Sequence, residues 1–276
     1  MTDLVAFPRK IYFLWFQGVE NAPCLVRWNL TRWIELNPDY DVITLDAKTS
    51  ATYLDDLAID PASLSLQAQS DIIRLCILRR HGGIWVDASV FPIKPLSSWL
   101  PEAADKSDFF AYEREGVVLP MSSWFLAAKH DALIIRKWYE ATLHYWSVKR
   151  DPLQEPGQPL FVPDDPSAIM APFEPQLARP YPYFWLHHLF GILISTDFKF
   201  KEEWEKRHRK PAADPHLFAE FYNRSARPNS GVKRVLRQIS KKYSEKRIIA
   251  KVKCDTEMQK LDWRVGYPRS LLDALL

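Results

Sequence analysis

The chain has 276 residues, of which 37 are lysine or arginine and 34 are aspartate or glutamate, giving a formal net charge of +3. Its 47% hydrophobic and 13% aromatic content excludes an intrinsically disordered protein and suits one large domain with a buried core. Cys24, Cys76 and Cys254 are far apart and form no CxxC pair, so neither a zinc ribbon nor a disulfide framework is indicated. Without a signal-peptide pattern or a run of about 18 apolar residues, we expect a cytoplasmic protein, either soluble or peripheral on a membrane.

Short apolar runs alternate with helical patterns through the first half of the chain. This strand, helix, strand rhythm is typical of parallel pairing in an α/β sheet. The predicted strands are 10–16, 40–45, 84–86, 109–112 and 124–128, and the predicted helices are about 24–37, 67–80 and 131–146.

The helix that ends at residue 80 is apolar almost all round, so we expect it to be buried. It nevertheless carries Asp71 and Arg74, which are three residues apart and therefore lie on one face. Charges on a buried helix are paired with each other or hold a ligand. The sequence leaves both interpretations open for this pair.

Two glycines, Gly82 and Gly83, follow the helix and allow a left-handed cap there. The next strand carries Asp87 to its carboxyl end, which is where ligands bind in open α/β sheets. A carboxylate in that place suits Mg²⁺ or Mn²⁺ shared with phosphate oxygens. Asp87 is followed by Ala88 and Ser89, so the second carboxylate of an Asp-x-Asp pair is absent.

The block "SDIIRLCILRRHGGIWVDAS" resembles the SD-x-x-R…GG-x-(W/Y)-x-D-x-D block of family-32-type glycosyltransferases and of the glucosylating clostridial toxins. It is more similar to bacterial capsular polysaccharide synthesis proteins, which often read D-A-(S/T) at this point. The opening "PRKIYFLWFQG" and the block "NPDYDVITLD" agree with the same group. The later blocks "YFWLHHLF" and "EMQKLDWR" resemble it less distinctively.

This resemblance implies a donor site for a nucleotide sugar. Trp15 would stack on the nucleobase, Asp71 and Arg74 would hydrogen-bond the donor sugar, and Asp87 would contact the ribose and a metal ion. The implied catalytic residues are Asp71, Arg74 and Asp87. The implied donor-binding residues are Trp15, Gln17, Asp71, Arg74, Gly82, Gly83, Asp87 and Lys260.

The serine at position 89 leaves the metal site incomplete. We expect Mn²⁺ or Mg²⁺ to be held by Asp87 and Ser89, with His187 or His188 as a further ligand; these histidines could also simply pack. Lys260, with Arg264, is the metal-free alternative for neutralising a diphosphate. Glu113 and Glu115 are candidate acceptor-site carboxylates or ordinary solvated side chains.

The segment 231–253 is strongly basic, and its apolar residues from Val232 to Tyr243 fall at helical spacing. Such a helix binds anionic lipid or packs on the core with a solvated basic face. No nucleic-acid-binding pattern accompanies it.

We therefore expect an α/β fold of the GT-A, Rossmann-like type, with a core over 1–230 and a basic extension over 231–276 that packs on the core or on a membrane. The expected function is transfer of a sugar, from a UDP-sugar and with retention of configuration, to a capsular or surface polysaccharide or a lipid-linked glycan. The alternative function is that of a non-catalytic protein that binds sugar nucleotide or glycan. A third possible function is that of a membrane adaptor.

Overall fold

The structure is a computed structural model that describes residues 6–114, 119–153, 180–225 and 245–276. Its strands are β1 Lys10–Leu14, β2 Asp41–Leu45, β3 Gly83–Asp87, β4 Val90–Pro92, β5 Phe109–Glu113, β6 Met121–Ala128 and β7 Met258–Lys260. Its helices are α1 Cys24–Leu36, α2 Ala47–Ser50, α3 Leu66–His81, α4 Leu100–Ala104, α5 Leu133–Tyr145, α6 Trp185–Thr196, α7 Phe198–Glu205, α8 Leu217–Ser225, α9 245–255 and α10 Arg269–Asp273.

Five strands form the central sheet in the order β2-β1-β3-β6-β5. Strand β1 is parallel to both β2 and β3, whereas β6 is antiparallel to both β3 and β5. The α/β prediction is confirmed, because this mixed sheet is flanked by helices. Parallel pairing is limited to the first three strands of the chain.

Alternating residues of the strands fill a hydrophobic core on each face of the sheet. Tyr12 and Trp85 belong to the core on one face, and Phe13 and Val86 belong to the core on the other. Helix α3 packs on the first face and against α5, and its residues 71–78 are all buried. The predicted burial of this helix is confirmed.

A second, two-stranded sheet pairs β4 with β7 in antiparallel register. It lies over a third hydrophobic cluster that contains Phe91, Val252 and Leu261. Through these contacts residues 245–276, the described part of the predicted extension 231–276, pack on the core. Most of the basic segment 231–253, including Val232 to Tyr243, lies outside the described residues. None of the described helices is both long and apolar enough to cross a membrane.

Candidate donor site

Asp87 ends β3 at the carboxyl edge of the parallel strands, where it pairs in register with Leu14 of β1. Trp15 follows Leu14 directly, so the indole and the carboxylate start from neighbouring points of the same edge. Ligands bind at this edge of open α/β sheets. The strand geometry thus brings together two of the predicted site residues.

Arg74 lies at the centre of a buried polar cluster behind that edge. Its guanidinium is 3.0 Å from a carboxylate oxygen of Asp71 and 3.4 Å from one of Asp87. It also donates hydrogen bonds to the Ser123 carbonyl oxygen at 2.8 Å and to the Ser70 hydroxyl at 3.3 Å. Most of its N–H groups are therefore used within the protein, and the guanidinium orients both carboxylates.

Asp71 is one turn from Arg74 on α3, and only 5% of its side chain is exposed. Burial raises the pKa of Asp71 to about 7, and the neighbouring Asp87 carboxylate adds to this, whereas Arg74 acts in the opposite direction. Asp71 and Arg74 thus form the internal ion pair that was one of the two interpretations of the sequence, and Arg74 also contacts Asp87. Binding of a ligand by the pair stays a prediction.

The carboxylate of Asp87 is held on both oxygens. Oδ1 accepts a hydrogen bond of 3.1 Å from the Trp85 indole, and Oδ2 accepts one of 2.8 Å from the Lys260 ammonium. Burial alone would raise the pKa of Asp87, but Lys260 and Arg74 outweigh it and lower the pKa to about 2. The carboxylate is therefore ionised at neutral pH, and 26% of the side chain remains exposed.

Lys260 reaches Asp87 because β7 pairs with β4. Val90 is opposite Lys260 in this pairing, and the amide of Leu261 donates to the Ser89 carbonyl oxygen at 3.0 Å. The ammonium also donates to the hydroxyl of Ser89 at 2.6 Å. One lysine thus bonds to both polar side chains of the Asp-Ala-Ser sequence.

Two aromatic residues that we did not select from the sequence lie beside this cluster. The Trp263 ring meets the ring of Trp15 edge-on at 5.5 Å, and the Arg264 guanidinium lies 4.6 Å from the centre of the Trp263 ring. Burial raises the pKa of Tyr183, and the carboxylates of Asp71 and Asp87 are near enough to raise it further. The blocks that contain Trp263 and Tyr183 were recognised, but aromatic residues are so frequent in this chain that nothing in the sequence singled these two out.

The predicted donor residues Gly82, Gly83 and Gln17 are not part of the cluster. Gly82 caps the end of α3 and Gly83 begins β3, at the opposite end from Asp87, and both have positive φ angles, 62° and 102°. A Cβ atom at Gly83 would lie 2.8 Å from the Lys10 carbonyl oxygen, so close packing of the backbone explains this glycine. Gln17 is exposed in the turn after Trp15, and its carbonyl oxygen accepts a hydrogen bond from Asn21.

The residues expected to hold Mn²⁺ or Mg²⁺ do not fit a divalent ion. Lys260 occupies the oxygens of Asp87 and Ser89 that would be the ligands. Unit charges 4 Å apart interact by about 4 kcal/mol at an effective dielectric constant of 20, so a divalent ion would meet roughly twice that repulsion from one ammonium. Within the described ranges, no three His, Cys, Asp or Glu residues gather into a possible metal site.

The histidines predicted as metal ligands and the glutamates predicted at the acceptor site are the remaining candidates from the sequence. His187 and His188 are buried in α6. Burial lowers the pKa of His187 to about 3, assisted by Arg114 and Arg74, so the imidazole is neutral at physiological pH. Glu113, a predicted acceptor-site carboxylate, forms an ion pair with Arg207 at 2.5 Å, and this pairing explains the carboxylate without a bound sugar acceptor. Glu115 lies outside the described residues.

Two known proteins are similar to part of this chain. O-glycosyltransferase braB of Annulohypoxylon truncatum is 27% identical over 162 residues, which are 51% of this chain and 38% of that protein. O-glycosyltransferase PaGT of Phomopsis amygdali is 24% identical over 51% of this chain and 39% of that protein. The match therefore spans about two fifths of the length of these relatives.

Two solved structures are also similar. The PaToxG glycosyltransferase has a TM-score of 0.36 and 16% identity over 50% of this chain and 60% of its own. The catalytic domain of alpha-toxin from Clostridium novyi has a TM-score of 0.35 and 10% identity over 52% of this chain and 59% of its own. The family model described as capsular polysaccharide synthesis protein matches residues 3–154, more than half of the sequence. The chain belongs to the capsular polysaccharide synthesis protein family.

Proposed function

We propose that this protein is a glycosyltransferase that moves a sugar from a UDP-sugar to a surface polysaccharide or to a lipid-linked glycan. The observation that carries the proposal is the ionised, part-exposed Asp87 at the carboxyl edge of the sheet, fixed by Arg74, Trp85 and Lys260. Its neighbours Trp15 and Trp263 supply aromatic surface at the same edge. Membership of the family and the names of the relatives support the same activity.

The proposed roles follow from the positions of the side chains. Trp15 and Trp263 offer ring surface to a nucleobase, since stacking is favourable for any base. Asp87 accepts hydrogen bonds from a ribose, and its orientation is set by Trp85 and Arg74. Most N–H donors of Arg74 are used by partners inside the protein. We therefore assign to Arg74 and Asp71 the role of positioning Asp87, with at most one direct contact to the sugar.

Transfer breaks the bond between the sugar C1 and the diphosphate oxygen, and the bonding electrons leave with the nucleoside diphosphate. The acceptor hydroxyl oxygen forms the new bond to C1, and its proton ends on the departing diphosphate. The resemblance to retaining families favours an α-linked product. The sugar anomer of the first product, read by proton NMR, tests that part of the proposal.

A screen of nucleotide sugars tests the function itself. We expect UDP and one UDP-sugar to raise the melting temperature, and that UDP-sugar to be hydrolysed slowly when water replaces the acceptor. Asp87→Asn should lower turnover by about 10²–10³-fold while the protein stays folded. Asp255→Asn, a change at an exposed carboxylate on α9, is the matched control and should leave turnover unchanged.

A non-catalytic sugar-nucleotide binder is the competing function. It predicts stabilisation by UDP without turnover of any nucleotide sugar, with or without acceptor and with or without added metal.

We place the enzyme in the cytoplasm at the inner face of the membrane, where lipid-linked acceptors are within reach. The basic residues of α9 support that location.

A further inference from the structure

The ammonium of Lys260 lies where a divalent ion would connect the two polar residues of the Asp-Ala-Ser sequence. It is 2.8 Å from Oδ2 of Asp87 and 2.6 Å from Oγ of Ser89. The pairing of β7 with β4 fixes the backbone on either side of this contact. The fold therefore fixes the backbone of Lys260 within reach of Asp87 and Ser89.

The negative charge of Asp87 is compensated without a metal ion. Two carboxylates, Asp71 and Asp87, are bonded to two cations, Arg74 and Lys260. In an Asp-x-Asp site the second carboxylate adds a negative charge that a divalent ion neutralises. Here Ser89 is neutral, and the single positive charge of Lys260 matches the one remaining carboxylate.

Lys260 also has a donor to spare. An ammonium group has three N–H donors, and Asp87 and Ser89 accept two of them. A fifth of the Lys260 side chain is exposed, so the residue is not sealed off from a ligand. Arg264, four residues further on, is 71% exposed, and its guanidinium lies beside the Trp263 ring.

We infer that Lys260 takes the place of the divalent metal ion, so that donor binding and sugar transfer are metal-independent. The inference rests on the proposed function. The third N–H of Lys260 donates to a diphosphate oxygen of the donor and stabilises the negative charge that grows there as the bond to C1 breaks. Arg264 adds a second positive charge on the solvent side.

The unmodified protein gives the first test. UDP binding, measured by calorimetry, and UDP-sugar turnover should each agree within about twofold between EDTA and added Mn²⁺, because no ion takes part. Turnover that is lost in EDTA and restored by Mn²⁺ overturns the inference while the proposed function stands. If neither UDP binding nor turnover occurs under any condition, the proposed function fails and this inference with it.

Variants give the second test, with melting temperature as the check of folding. Lys260→Ala should lower turnover roughly 100-fold or more and weaken UDP binding roughly tenfold, in EDTA and in Mn²⁺ alike. Lys251→Ala, which removes an exposed lysine of α9, is the matched control and should change neither. A Lys260→Ala protein that is folded and turns over donor like the unmodified protein contradicts the assignment.

A double variant should restore a metal-binding site. Ser89→Asp combined with Lys260→Ala creates an Asp-x-Asp pair and removes the competing cation. We expect it to bind Mn²⁺ in the presence of UDP, measured by the electron paramagnetic resonance signal of free Mn²⁺, whereas the unmodified protein binds none. Equal Mn²⁺ binding by the two proteins argues against Lys260 as the replacement for the ion.

Discussion

The guanidinium of Arg74 on α3 donates a hydrogen bond of 2.8 Å to the backbone carbonyl oxygen of Ser123 on β6. Both residues are buried, and the bond ties the central helix to the antiparallel side of the sheet. The same guanidinium faces Asp71 and Asp87. One side chain therefore serves the packing of the helix and the orientation of the site.

Arg74→Ala should destabilise the protein by about 3–5 kcal/mol, because it leaves the buried carboxylate of Asp71 without its cation and the Ser123 carbonyl without its donor. Arg74→Lys keeps the charge but loses the forked geometry, so we expect a smaller loss of stability. Urea unfolding of the two variants measures the difference. If Arg74→Ala melts like the unmodified protein and has lost only donor binding, the residue acts on the ligand alone.

Asp71 gives the protein a pH-dependent stability. Its pKa is raised to about 7 by burial, whereas an unfolded aspartate titrates near 4. The folded state therefore binds the proton more tightly between these values, and stability falls as the pH rises through them. Asp87, with its pKa lowered to about 2, does not titrate in that window.

Asp71→Asn removes this titration, so the stability of the variant relative to the unmodified protein should rise by about 1 kcal/mol or more between pH 5 and pH 8. Denaturant unfolding at the two pH values measures it, and the exposed Asp255→Asn serves as the control. A stability difference that stays constant with pH would show that Asp71 is ionised throughout.

Trp263 should contribute to nucleotide affinity. Loss of a stacked aromatic side chain costs about 1–3 kcal/mol per base, so Trp263→Ala should weaken UDP binding by roughly tenfold or more. Phe198→Ala removes another exposed aromatic side chain, at the start of α7, and should leave UDP affinity unchanged. Unaltered affinity in Trp263→Ala would remove that ring from the donor site.

The basic face of α9 should attract the protein to anionic membranes. Lys246, Arg247 and Lys253 are exposed on it, and each basic residue near an anionic surface contributes about 1 kcal/mol. We expect sedimentation with phosphatidylserine vesicles but not with neutral ones, weakening as salt is added.

Lys246→Glu with Arg247→Glu should abolish most of this binding. Lys199→Glu with Lys201→Glu, on α7, changes the net charge equally and should not. Equal binding of the unmodified protein to neutral and anionic vesicles would exclude an electrostatic mechanism.

The sequence predicted Asp71, Arg74 and Asp87 as one site because a helix, two glycines and a short strand connect them within a single chain segment. The resemblance implied that Gly82 and Gly83 also bind the donor. Four steps along a strand span about 13 Å, and this separates Gly83 from the site edge. A motif that is continuous in sequence therefore does not bring all of its residues to one edge of the sheet.

The sequence predicted Lys260 as a donor-binding residue and as the alternative to a metal ion, but it did not predict the contact with Asp87. Its position depends on which residue of β4 is opposite it, and the pairing of two three-residue strands leaves almost no periodic pattern to detect. Trp263 was missed for a related reason, since its contact with Trp15 depends on the same pairing. The contacts of both residues follow from the pairing of β7 with β4.

The ion pair between Lys260 and Asp87 joins residues that are 173 positions apart. Closing so long a loop costs entropy before the contact returns any stabilisation, and distant contacts of this kind form slowly. The pairing of α3 with β3 is local by comparison. During refolding, tryptophan burial in the main sheet should therefore recover before the ability to bind UDP, and the interval between the two signals reports the docking of β7 on β4.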